Sequence, residues 1–125
     1  MADEPIPDDV RAFILRHIDS VAQLEALLLL RGNPEANWDV STTAKRLYAP
    51  EPDIADALSR LCEDGLLSVA EGGYRYDHAN KEQRHLVDRL AGVYSRHLIP
   101  VTNMIHAKPR RIREFADAFK FRKDR

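Results

Sequence analysis

One cysteine, Cys62, stands alone in 125 residues, so no disulfide can form within the chain. A reducing compartment is therefore the natural setting, and the cytoplasm is the expected location. Long apolar runs are missing as well: the longest, Ala26 to Leu30, falls far short of the roughly 18 residues a membrane-spanning helix requires. The start of the chain, Met1-Ala2-Asp3-Glu4-Pro5, is acidic and has neither the basic opening nor the apolar stretch of a secretory signal. Glycine is scarce, and Gly72-Gly73 reads as a hairpin turn, so no phosphate-cradling loop is present. The histidines His17, His78, His85, His97 and His106 show no ligand spacing with each other or with Cys62, so no metal and no cofactor is expected. No nucleophile with a nearby base and no carboxylate pair stands out, and the expectation is a protein that is not an enzyme.

What is present suffices for one folded domain with a single core. Apolar residues make up 44% of the chain and charged residues 31%, an ordinary balance for a globular protein. The net charge of −1 hides a strong asymmetry. Residues 108–125 carry eight cations against Glu114, Asp117 and Asp124, a net +5, which leaves −6 on the rest. Any polyanion is expected at the tail rather than the body.

Helical periodicity dominates the pattern. Pro7 followed by Asp8 and Asp9 opens a first helix with Val10, Phe13, Ile14 and Ile18 on one stripe. Ser20 and Gln23 have capping-box spacing, in which the Gln23 amide reaches back to the Ser20 N–H. The helix that follows is apolar nearly all round and stops at Gly32. Trp38-Asp39-Val40 reads as a brief strand or an extended entry. Ser41 is expected to cap a short helix over 42–48, and a second helix runs from Glu51 to Asp64 before Gly65. Two short strands then flank Glu71-Gly72-Gly73. Asn80 opens a long helix to residue 107, with a kink or break at Pro100. Three parts result: 8–78, 80–107 and a basic amphipathic tail over 108–125.

The segment STTAKRLYAPEPDIADALSRLCEDGLLSVAEGGYRYD, residues 41–77, runs helix, turn, helix, hairpin. It resembles the winged helix-turn-helix superfamily, whose members are mostly bacterial transcription regulators. The resemblance implies a mainly α fold with a small β-hairpin wing, here extended by the long C-terminal helix. It implies a dimeric DNA-binding regulator with helix 51–64 in the major groove. By that correspondence Ser41, Thr42, Lys45, Arg46, Asp53, Asp56, Arg60 and Arg75 are the candidate DNA contacts. The helix departs from the pattern in charge: Glu51, Asp53, Asp56, Glu63 and Asp64 oppose Arg60 alone, a net −4. Phosphates repel such a surface, because duplex affinity comes from cations that displace condensed counterions. A second reading follows, in which the winged fold is a protein-interaction module using this acidic face or the tail.

Leu86, Leu90, Val93, His97, Val101 and Met104 follow four- and three-residue steps, the spacing of a seam between helices, and predict a homodimer contact or packing on the chain's own core. In the tail, Ile112, Phe115 and Phe119 alternate with Arg and Lys at helical spacing. Three uses are open to it: packing on the body or a protein partner, lying on an anionic membrane surface, or reaching DNA phosphates.

Overall fold

A computed structural model describes residues 6–108. Six helices and one two-stranded antiparallel sheet account for most of them: α1 (Asp8–His17), α2 (Val21–Gly32), α3 (Val40–Leu47), α4 (Glu51–Glu63), β1 (Leu67–Ala70), β2 (Gly73–Tyr76), α5 (Lys81–Arg96) and α6 (Leu98–Ala107). One apolar cluster runs from Ile6 through Leu24, Leu27, Ile54, Leu58 and Leu90 to Ile105, so the first and last described helices share a core. No helix among the described residues is long and apolar enough to cross a membrane.

α1 begins where the Pro7 ring holds φ at −59°, and Asp8 and Asp9 face the positive end of its dipole. At the start of α2, Ser20 accepts from the Gln23 N–H at 3.1 Å. The expected reciprocal bond lands one residue earlier than the capping-box spacing predicts. Gln23 Oε1 accepts from the Asp19 N–H at 2.9 Å, while its Nε2 donates to the His17 carbonyl at 2.8 Å. The side chain is thereby satisfied and can be buried, which suits its place beside Leu24 and Leu27 in the most central helix.

Trp38 forms an antiparallel bridge with Tyr74, with both N–H···O bonds at 2.8 Å, so it extends the sheet by one residue next to β2. The turn between β1 and β2 is the dipeptide Glu71-Gly72, with Gly72 at φ 85°. Gly73 is not part of the turn, as its sequence context predicts, but the first residue of β2, paired with Ala70. A Cβ there would lie 2.2 Å from the Trp38 carbonyl oxygen, so only glycine allows the Trp38 segment to approach.

The long helix expected over 80–107 with a kink or break at Pro100 is broken into two helices. Asn80 caps α5 through the Gln83 N–H at 2.9 Å, but the helix ends at Arg96, and His97 at φ −132° separates it from α6. The break falls three residues ahead of Pro100. That proline has no N–H to give the Arg96 carbonyl, and as the third residue of α6 it sits where a missing N–H leaves no bond unmade. A continuous seam is lost with the break. Leu90, Val93 and Val101 are buried in the chain's own core, Leu86 and Met104 pack against it, and His97 lies half-buried at the break. α5 is also tied to the rest by Arg31–Asp88 at 2.9 Å, by Arg89–Asp9, and by Tyr94, whose hydroxyl donates to Glu25 at 3.1 Å. Burial first, and Glu25 second, push the Tyr94 hydroxyl up to about 12.

Gly73→Ala is expected to cost about 2–3 kcal/mol by forcing the Trp38 backbone away, the scale of overpacking. Gly32→Ala, with nothing near its Cβ, should leave stability unchanged or raise it by up to about 1 kcal/mol. Urea unfolding of the two variants checks the contrast.

Candidate functional site

The α3–turn–α4 unit and the adjoining hairpin hold all the residues that the winged-helix resemblance marks. α3 starts two residues earlier than expected: Asp39, not Ser41, is its cap, accepting from the Thr42 N–H at 2.7 Å. Ser41 lies half-buried within the first turn, while Thr42 is exposed. Both Asp39 and Ser41 are capping residues by type. The buried Thr43, whose hydroxyl donates to the Asp39 carbonyl at 2.8 Å, selects the register that turns Thr43 and Ala44 inward. The Thr42 N–H first, and Lys45 to a smaller extent, hold the Asp39 carboxyl below its ordinary range.

The four cations among the candidate DNA contacts, Lys45, Arg46, Arg60 and Arg75, do not form one row. Arg46 lies over the Trp38 ring at 5.4 Å, and Arg75 donates to Asn37 Oδ1 through Nε at 3.1 Å and Nη2 at 2.9 Å. These two are thus anchored on neighbouring residues, with Lys45 exposed one position before Arg46. Arg60 belongs to a different neighbourhood. It donates to Asp56 one turn earlier on α4 at 2.9 Å, and this bond, followed by the charges of Asp56, Asp19 and Glu63, raises its pKa. The Asn37 and Trp38 contacts carry no sequence signature, since neither residue lies at helical spacing from its arginine.

α4 turns Ile54, Ala57, Leu58 and Leu61 into the core and leaves Glu51, Asp53, Asp56, Glu63 and Asp64 exposed. Of these, Asp56 pairs with Arg60, and Asp64 accepts from His17 Nδ1 at 2.9 Å. Cys62 is half-buried against the core. Among the described residues no three His, Cys, Asp or Glu side chains gather as they would around a metal ion.

The turn between α3 and α4 contains a residue that sequence reading passed over. Tyr48 closes α3 at φ 55°, ψ 44°, the left-handed conformation usually given to glycine. Its N–H donates to Lys45 at 3.3 Å and that of Ala49 to Ala44 at 3.0 Å, the bond pattern of a left-handed helix stop. The side chain is 96% exposed, so it contributes no burial to offset the strained backbone. It stands beside the acidic start of α4, next to Glu51 and Asp53. The tail residues Ile112, Phe115 and Phe119 lie outside the described residues.

Tyr48→Gly is expected to raise stability by about 0.5–1 kcal/mol, the relief of left-handed strain less the extra freedom of glycine when unfolded. A loss of stability in chemical unfolding would show that the ring packs on the fold. The depressed Asp39 pKa stabilises the fold above the unfolded value and the effect is lost as pH falls through the folded value. The stability gap between the native chain and Asp39→Asn should therefore close from about pH 4 downward, as followed by unfolding at stepped pH.

No protein-family model, curated protein or solved structure matches the chain.

Proposed function

We propose that this chain is a winged helix-turn-helix protein whose surface over α3, Tyr48 and α4 binds a protein partner. The fold assignment rests on element order. α2, the Trp38 bridge, α3, α4, β1 and β2 follow one another as helix, short strand, helix pair and wing, and Trp38 joins the sheet next to β2. The carrying observation for the partner is Tyr48, strained and 96% exposed at the tip of the helix pair. Exposed tyrosines supply large contact area at low entropic cost, and the carboxylates of α4 beside it select a basic partner over a nucleic acid.

The DNA-binding regulator is the second reading, favoured by Arg46 over Trp38 and Arg75 on the neighbouring Asn37, both beside the hairpin. Under it, α4 would have to enter a groove whose walls are phosphates with five carboxylates exposed and its only arginine bound to Asp56. A homodimer would use surface other than the predicted seam. Leu98 and Ile99, 49% and 62% exposed at the start of α6, are open to a second copy, whereas Leu90, Val93 and Val101 are not.

Fluorescence anisotropy with a mixed-sequence duplex at low salt separates the readings. The protein-binding reading predicts no binding by α4, and Asp53→Lys should then raise nonspecific affinity by removing repulsion. Native binding that weakens by roughly 10³-fold or more between 50 and 200 mM salt, and that Arg60→Glu abolishes, would establish the regulator instead.

A further inference from the structure

Tyr76 closes β2 with only 5% of its surface exposed, and its hydroxyl is buried without a hydrogen-bond partner among the described residues. Burial first, and then Asp88, push that hydroxyl above its ordinary pKa, so it keeps its proton and can donate it. The further charges that bear on it are those of Arg31, Arg84 and Asp77. Buried polar atoms in folded proteins are nearly always paired, and an unmet donor is a place for an acceptor that a ligand brings.

The same charged neighbours line an open cleft of about 500 Å³, the size of a small-molecule site. Arg31 and Glu35 come from the end of α2 and the turn after it, Tyr76 and His78 from the end of β2 and just beyond, and Arg84 and Asp88 from α5. Arg84 stands one turn before Asp88, the spacing of a helical ion pair, yet Asp88 Oδ1 accepts from Arg31 Nε at 2.9 Å instead. The Arg84 side chain is exposed and makes no ion pair or hydrogen bond with a described residue. The Tyr76 hydroxyl lies just beneath the surface, so a ligand oxygen reaches it once a rim side chain moves, and no described residue holds Arg84 in place. None of the lining residues belongs to α3 or α4, so the cleft is separate from the surface proposed above to take a protein.

Charge selects the class of ligand. The two arginines balance Glu35 and Asp88, so a multiply charged anion or cation gains nothing from this lining, and an apolar molecule leaves the hydroxyl unmet. A small molecule carrying both signs satisfies both sides. We propose that the cleft binds a zwitterion of the amino-acid class, its carboxylate accepting from the Tyr76 hydroxyl and the Arg84 guanidinium and its ammonium facing Glu35 and Asp88.

Two-dimensional ¹H–¹⁵N NMR of the full chain tests the proposal, with each standard free L-amino acid titrated to roughly 10 mM, an excess for a Kd of about 1 mM. At least one should saturably shift the amide signals of Arg31, Tyr76, Arg84 and Asp88, with sodium acetate and methylammonium chloride each at least about tenfold weaker. Tyr76→Phe removes only the hydroxyl and should weaken binding by about tenfold, the scale of one hydrogen bond. Its urea midpoint without ligand should stay level or rise, because a buried donor with no partner has been removed. Arg84→Gln should weaken binding at least as much while circular dichroism stays native, and it carries the test alone if Tyr76→Phe does not fold. No shift with any amino acid, or equal binding of acetate, would overturn the proposal. So would a lower urea midpoint for a folded Tyr76→Phe, since the hydroxyl would then already be satisfied without a ligand, and so would undiminished binding by Arg84→Gln.

Discussion

At residues 17–19 the chain leaves one helix and enters the next; the Ile18 N–H still donates to the Ile14 carbonyl at 2.9 Å, but the His17 and Ile18 carbonyls and the Asp19 N–H find their partners in side chains. Lys108 donates to the Ile14 and Ile18 carbonyls, Gln23 donates to the His17 carbonyl and accepts from the Asp19 N–H, and Asp64 accepts from the His17 ring. Lys108, ninety residues further along the chain than Ile18, thus helps complete a junction near its beginning. Hydrogen bonds to a charged donor contribute about 1.5–3 kcal/mol each, and the Lys108 ammonium, nearly enclosed, makes two of them and an ion pair. The position of α6, the end of α4 and the start of α2 all follow from this one corner. Removing Lys108 would take away the donor to the Ile18 carbonyl, while the Ile14 carbonyl kept the Ile18 N–H, and would release the end of the last described helix.

Much of this architecture was legible in the sequence because local chemistry decided it. Pro7 with Asp8 and Asp9, Ser20, Asn80 and the glycine at residue 65 mark helix ends by backbone geometry that no distant contact overrides. Other features were illegible for a physical reason. Asp39 and Ser41 both offer a capping oxygen, and only the inward turn of Thr43 and Ala44 chooses between them. Gly73 is dictated by the approach of the Trp38 carbonyl, a contact between residues 35 apart. Pro100 correctly signals that one helix cannot continue, but the break appears at His97 because the proline fits the first turn of the next helix.

The seam over α5 and α6 shows the same limit in another form. Apolar residues at alternating four- and three-residue steps look alike whether they face a second chain or the chain's own helices. Val87, Leu90 and Val93 on one helix and Val101 and Ile105 on the next are all buried, and the break at His97 re-aims the second set. Arg31–Asp88, Arg89–Asp9 and Tyr94–Glu25 then hold α5 to α1 and α2. Periodicity identifies a face; only the tertiary arrangement identifies what covers it.

Charge tells more about the candidate site than fold does. A fold is a scaffold, and what a helix on it binds depends on the side chains it exposes. Here the exposed side of α4 is acidic, its single arginine is bound to Asp56, and Arg46 and Arg75 are held near Trp38 and Asn37 rather than along α4. At the tip, Tyr48 occupies a backbone conformation that costs free energy and packs on nothing. A surface that retains both a like-charge cluster and a strained aromatic gives up stability in two independent ways. Opposite charge and aromatic contact on a partner would offset both.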